Sequence, residues 1–203
     1  MARASWSAWR ACASAFVATH RSRTRSHAKG LRIFRSQTEI RSVENVPLCL
    51  QLNHRAITLH VAPSLLLIDM LREECQLTGT HQGCDTAQCG ACTVLVDGQA
   101  IKSCNRLALQ CANQSVLTIE GVAPNAHELH VMQQCFSQHH ALQCGFCTPG
   151  FVMRALAMVH EDVPATPQAV REALSGNLCR CTGYEGIVKA ICEGLEQLRR
   201  VDV

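Results

Sequence analysis

Aromatic residues are scarce in this sequence: one tyrosine, two tryptophans and five phenylalanines among 203 residues, or 4%. Any core must therefore be built of aliphatic side chains, which the 47% hydrophobic content can supply. No apolar run approaches the ~18 residues that suggest a membrane span. A phosphate-binding glycine loop and a Ser/His/Asp grouping are both missing, which argues against P-loop nucleotide chemistry and triad hydrolysis. Acids are nearly absent from positions 1–43, where nine Arg/Lys stand against Glu39 alone. Positions 44–203 hold ten basic and fifteen acidic residues, so the net charge of +3 conceals a body near −5. An acidic body argues against a nucleic-acid surface.

Cysteine is abundant. Fourteen thiols in an otherwise ordinary composition point to metal or redox chemistry and suit a reducing compartment. The run Gly83-Cys84-Asp85-Thr86-Ala87-Gln88-Cys89-Gly90-Ala91-Cys92 sets three of them at C-x4-C-x2-C spacing, with Cys104 following. That is the plant-type [2Fe–2S] ligand pattern. Each iron needs two thiolates beside two bridging sulfides, so four cysteines satisfy one cluster. Zinc and disulfides are the competing readings. Structural zinc usually takes paired C-x2–4-C knuckles, whereas here three ligands share one short loop. Disulfide frameworks suit short secreted chains, and no secretory signal is visible.

A second set lies downstream, Cys144 and Cys147 at C-x2-C and Cys179 and Cys181 at C-x-C. Alone, Cys144-Cys147 would fit a thioredoxin-like redox pair, which leaves Cys179 and Cys181 unexplained. Four thiolates could also hold zinc, although one intervening residue strains two bonds to a single tetrahedral ion. A second [2Fe–2S] cluster uses all four. Cys12, Cys49, Cys75, Cys111, Cys135 and Cys192 are read as small buried hydrophobes. His139-His140 has no second ligand pair nearby and is read as part of an exposed helix face. Asp85 is read as a hydrogen-bonding loop residue.

The periodicities divide the chain. Val46, Leu48, Leu50 and Leu52 alternate with polar or small neighbours, as do Ile57, Leu59 and Val61, and Asn53-His54 between them predicts a β-hairpin. Ser64 is expected to cap a helix carrying Leu66, Leu67, Met70 and Leu71. Asp97-Gly98 predicts a type I′ hairpin between Thr93–Val96 and Gln99–Lys102. Val116–Ile119 reads as a last short strand. Beyond Pro124 four helical patterns follow: Leu129, Met132 and Phe136; Val152, Leu156 and Val159 after Thr148-Pro149; Val170 and Leu174 after Thr166-Pro167; and Ile187, Ile191, Leu195 and Leu198. Thr148 and Thr166 are expected as N-caps with proline at the first helical position. Ser175-Gly176-Asn177 reads as a helix stop.

Three motifs carry a resemblance. Gly83-Cys84-Asp85-Thr86-x-x-Cys89-Gly90-Ala91-Cys92-Thr93-Val94, Gln143-Cys144-Gly145-Phe146-Cys147-Thr148-Pro149-Gly150 and Gly176-Asn177-Leu178-Cys179-Arg180-Cys181-Thr182-Gly183-Tyr184 resemble the iron–sulfur small subunit of the molybdenum hydroxylases, the xanthine dehydrogenase and aerobic carbon monoxide dehydrogenase family. The resemblance covers about 45–203. It implies an α+β chain with a plant-type ferredoxin (β-grasp) domain at 45–122 and a four-helix [2Fe–2S]-binding domain at 123–203, and the composition of 1–44 reads as a basic, disordered extension ahead of them. The resemblance implies two [2Fe–2S] clusters, with Cys84, Cys89, Cys92 and Cys104 holding one and Cys144, Cys147, Cys179 and Cys181 the other. Partners implied are a molybdopterin-containing large subunit and an FAD-containing medium subunit, assembled as a dimer of heterotrimers in the cytoplasm or at the inner face of the membrane.

By resemblance, Gln143 contacts the pterin and Cys181 lies against it, so electrons pass from molybdenum through the helical-domain cluster and then the ferredoxin-domain cluster to FAD. Many relatives of the xanthine and aldehyde type carry glycines between the first two ligands. Asp85-Thr86-Ala87-Gln88 looks more like the carbon monoxide dehydrogenase branch. Small subunits of a heterocycle, nicotinate or aldehyde dehydrogenase are the alternative, as is a free ferredoxin-like carrier. The composition of 1–43 also resembles a transit peptide. A disordered extension is preferred, because stand-alone small subunits of this type start near position 45.

Overall fold

The computed structural model describes residues 44–125 and 127–201. The expectations for 1–43 lie outside these residues, as does Cys12. Strand β1 (Val46–Leu52) runs antiparallel to β2 (Arg55–Val61). Their turn places Asn53 and His54 at φ 47° and 66°, the left-handed pair that a type I′ turn demands. Strands β3 (Thr93–Val96) and β4 (Gln99–Lys102) form the second hairpin, with Asp97 and Gly98 at φ 49° and 81°. Strand β5 (Ser115–Leu117) completes a five-stranded sheet in the order β2-β1-β5-β3-β4. It is parallel to β1 and antiparallel to β3.

One face of the sheet buries Leu48, Leu50, Leu52, Val94, Val96 and Val116 against Leu67, Met70 and Leu71 of a short helix. That helix, α1, spans Leu67–Asp69 and opens into a wider turn over Met70–Glu74, where the Cys75 amide reaches back five residues to the Met70 carbonyl. Ser64 does not cap it. The chain stays extended through Leu66, which pairs with Leu107, and the Leu67 amide donates to the Arg106 carbonyl at 2.7 Å. A long-range strand-like pairing thus delays the helix past the residue that local signals favour.

Four helices follow: α2 (Val131–Gln138), α3 (Thr148–His160), α4 (Pro167–Ala173) and α5 (Glu185–Val201). Leu129 precedes α2 and is 53% exposed, so the apolar stripe of that helix is Met132, Cys135 and Phe136. The Thr166 hydroxyl accepts from the Ala169 amide and Pro167 opens α4, as the sequence predicts. At α3 the expectation is displaced by one residue. Cys147 takes the cap position, and the Thr148 hydroxyl is buried without a partner.

Helix α3 is not a one-sided amphipath. It buries Phe151, Val152, Met153, Ala155, Ala157 and Met158 because it is covered from two directions. Met153 and Ala157 pack on Leu95 of β3, while Phe151, Val152, Ala155 and Met158 join a core with Met132, Phe136, Ile187, Ile191 and Leu195 of the flanking helices. Strand β3 is covered on both faces for the same reason, and all four of its residues are buried. Among the buried residues of the helical core Phe136 and Phe151 are the aromatics, and the rest are aliphatic, Met and Cys side chains, in line with the aromatic shortage. Burying each such side chain contributes about 1.5–3 kcal/mol.

Candidate iron–sulfur sites

The loop joining α1 to β3 folds back on itself through left-handed residues at Ala87 (φ 57°) and Gly90 (φ 72°). Glycine is required at position 90 for a second reason. A β carbon there would lie 2.4 Å from the Gly176 carbonyl oxygen and 2.6 Å from Asn177 Nδ2. The curled loop turns amides toward Cys84. The Cys89 N–H donates to its sulfur at 3.4 Å, and with the Thr86 and Gln88 amides it brings the Cys84 thiol down to about 6. Cys84 and Cys89 interact as one pair, and Cys92 and Cys104 as another. Burial, then the Cys92 side chain, push Cys104 up to about 12. Cys104 arrives from the segment after β4, whose register with β3 sets Lys102 opposite Thr93 and so brings positions 104 and 92 together.

The second set has the same two-by-two form. Cys181 lies 3.7 Å from Cys144 sulfur to sulfur, and Cys147 pairs with Cys179. Burial and the Cys179 side chain push Cys147 up to about 12. Burial alone would raise Cys179 too. The Thr182 hydroxyl at 3.1 Å and its amide at 3.4 Å outweigh that and lower it. The Cys179 amide is held by the Tyr184 hydroxyl at 2.8 Å, and the Tyr184 ring meets Phe151 edge-on. Both pairs lie ahead of a helix, yet the donors to sulfur come from the cysteine loops and not from first helical turns. Gln143, Cys144 and Cys181 are exposed.

Among the described residues no three His, Cys, Asp or Glu side chains gather as a single-ion site. Each set instead resolves into two close thiol pairs, as two irons bridged by sulfides demand. Sulfur-only donors, partial shelter and N–H groups aimed at sulfur all fit a [2Fe–2S] cluster.

Residues that sequence reasoning missed hold the two sets together. The Leu178 amide donates to the Cys89 carbonyl at 2.9 Å. The buried Asn177 amide reaches the carbonyls of Gly90 at 3.1 Å and Gly150 at 3.3 Å. His81 stacks on Phe146 at 4.6 Å and pairs through Nδ1 with the Phe146 carbonyl at 2.7 Å. Lys102 Nζ donates to the Ala87 carbonyl at 2.7 Å. Other singled-out residues lie elsewhere. His139 is at the C-terminal end of α2, not on a helix face, and pairs with Glu193. Asp85 is exposed. Cys111 and Cys135 are buried as expected, whereas Cys75 and Cys192 are only partly covered.

Residues 50–115 match the family described as 2Fe-2S iron-sulfur cluster binding domain, and residues 118–192 match the [2Fe-2S] binding domain family. The chain is 44% identical over 155 residues to the nicotine 6-hydroxylase small subunit of Paenarthrobacter nicotinovorans, covering 76% of this chain and 93% of that one. It is 46% identical over 146 residues to the caffeine dehydrogenase subunit gamma of Pseudomonas sp. (strain CBB1), covering 70% and 86%. The crystal structure of quinoline 2-oxidoreductase from Pseudomonas putida 86 superposes with a TM-score of 0.74 at 41% identity, over 80% of this chain and 100% of that one.

Proposed function

This chain belongs to the iron–sulfur small subunits of the molybdenum hydroxylases, and on that premise we propose that it is the electron-transfer subunit of such an oxidoreductase. Its partners are a molybdopterin-containing large subunit and an FAD-containing medium subunit, assembled as a dimer of heterotrimers. Cys84, Cys89, Cys92 and Cys104 hold one cluster within residues 45–122. Cys144, Cys147, Cys179 and Cys181 hold the other within residues 123–203. A [2Fe–2S] cluster supplies one-electron uptake and release. The observation that carries the reading is the pair of four-thiol sets joined by the Leu178–Cys89 hydrogen bond.

The chain's own residues position, shelter and polarise. The Cys89 amide and the Thr182 hydroxyl donate to sulfur, which favours added negative charge there. The helical set opens to the surface at Gln143, Cys144 and Cys181, flanked by exposed Leu142, Phe146 and Leu178. This face meets the large subunit, with Gln143 and Cys181 toward the pterin, and the sheet-side set leads to the flavin. Nicotine, caffeine and quinoline, named for the relatives, are nitrogen heterocycles. They support a heterocycle-oxidising complex over a carbon monoxide dehydrogenase, a lean that rests on Asp85-Thr86-Ala87-Gln88 alone. Among the described residues no helix is long and apolar enough to cross a membrane, and the wealth of thiols supports a cytoplasmic site.

The test is purification of the native complex with analysis of metals, sulfide and flavin. About four iron and four sulfide per copy of this chain are expected, together with molybdenum, FAD and two distinguishable electron paramagnetic resonance signals on reduction by a nitrogen heterocycle. Zinc in place of iron, or a chain that purifies without partners, would refute the proposal.

A further inference from the structure

Lys102 ends β4, opposite Thr93 and two residues before Cys104. Its ammonium is turned inward and partly buried. Nζ donates to the Ala87 carbonyl at 2.7 Å and approaches the Gln88 carbonyl at 3.4 Å, both between Cys84 and Cys89. On its other side stands Gly176, whose added β carbon would fall 3.0 Å from Nζ. The ammonium therefore sits in the seam between the loop that carries the first thiol set and the segment that leads to Cys179. Among the described residues no carboxylate lies within ion-pair distance of it. Carbonyl dipoles satisfy its N–H groups but leave its net charge in place.

We propose that Lys102 sets the reduction potential of the sheet-side cluster by fixing an uncompensated positive charge in this seam. Reduction adds one negative charge, and a nearby fixed cation stabilises the reduced form. The effect weakens with distance, and partial burial spares it from full screening. Its hydrogen bonds are to the loop of the sheet-side set, so that set is favoured over the helical one. The bias draws an electron from the helical set toward the sheet-side set, the direction required if electrons enter at the exposed Cys144–Cys181 end. The inference rests on the two-cluster reading. A wild-type complex lacking two iron signals would defeat that reading, whereas the variants below address Lys102 alone.

The experiment compares Lys102→Gln, Lys102→Met and Lys102→Arg in the complete complex. Iron and sulfide content is measured first, then each signal is followed in a redox titration by electron paramagnetic resonance. Glutamine keeps a hydrogen-bond donor without charge, methionine keeps the stem alone, and arginine keeps the charge. Gln and Met are expected to lower the equilibrium constant for reducing the sheet-side cluster about tenfold, or about 59 mV for one electron. The helical-set signal moves less, and Arg stays near wild type. An unchanged potential in Gln, equal shifts in both signals, or a shift in Arg as large as in Gln would overturn the proposal. Loss of iron from the sheet-side set in Gln and Met, with Arg intact, would show a structural role and also overturn it.

Discussion

Gly150→Ala sets two effects of opposite sign against each other. Within a helix alanine is favoured over glycine by about 0.8–1.0 kcal/mol, and Gly150 is the third residue of α3. Propensity alone therefore forecasts a stabilised protein. The seam forecasts the reverse. An added β carbon would lie 2.3 Å from the Gly90 carbonyl oxygen, 3.0 Å from Ala91 Cα and 3.2 Å from Ala91 carbonyl carbon. All three are backbone atoms of the cysteine loop, so no side chain can rotate away. Relief requires α3 and the loop to part by about 1 Å in a close-packed interior. Overpacking of this kind costs about 1–3 kcal/mol. Parting also stretches the Asn177 bonds to Gly90 and Gly150, each worth about 0.5–1.5 kcal/mol. Subtracting the propensity gain leaves a net loss of about 1–5 kcal/mol. In a domain of this size each kcal/mol lowers the melting temperature by about 2–4 °C. The assay is thermal loss of cluster absorption at one scan rate, paired with the splitting from magnetic coupling between the two reduced centres, which should weaken as they separate. A melting temperature at or above wild type, with unchanged splitting, would refute the steric reasoning.

Two other substitutions probe the sulfur environment and the helical packing. Thr182→Val removes the hydroxyl donor 3.1 Å from Cys179 sulfur. It should keep full iron content while lowering the potential of the helical-set cluster, and an unchanged potential in a redox titration would count against that bond. Glu193 is held below the usual carboxylate range by its bond to His139. A lowered carboxylate contributes stability above its unfolded value and loses it as pH falls through the folded one. Glu193→Gln should therefore lower stability at neutral pH, with the difference from wild type shrinking as pH falls below about 4.5, as denaturant titrations at several pH values would show.

The parts of the fold legible in the sequence are those fixed by neighbours. The Asn53-His54 and Asp97-Gly98 turns were readable because left-handed pairs have few residue solutions. The two thiol sets were readable because three cysteines of one and both pairs of the other lie within short runs. What escaped depends on distant chain segments. Ser64 has the chemistry of a cap, but Leu107 holds Leu66 extended and the helix begins later. Val152, Leu156 and Val159 look like a stripe, yet α3 has the sheet on one side and helices on the other, so most of its surface is buried. Asn177 looked like a helix terminator and Lys102 like the end of a strand. Their side chains gain meaning only when residues some ninety and fifteen positions away arrive beside them.

Those seam residues share a pattern with a physical consequence. His81, Cys89, Lys102, Phe146, Asn177 and Leu178 each lie within three positions of a cysteine of one of the two sets or belong to one. The same short loops that supply donors thus supply the contacts that fix one set against the other. Backbone atoms dominate these contacts: the Cys89, Gly90, Phe146 and Gly150 carbonyls and the Leu178 amide. Backbone groups cannot change rotamer, so the distance between the sets varies only if whole loops move. Such movement would uncover Asn177, which is 5% exposed, and break its bonds to both sides at once. Electron transfer between two centres falls steeply with their separation. The contacts of this seam therefore bear on rate by holding that separation constant, and the glycines at 90 and 150 are what allow it to be short.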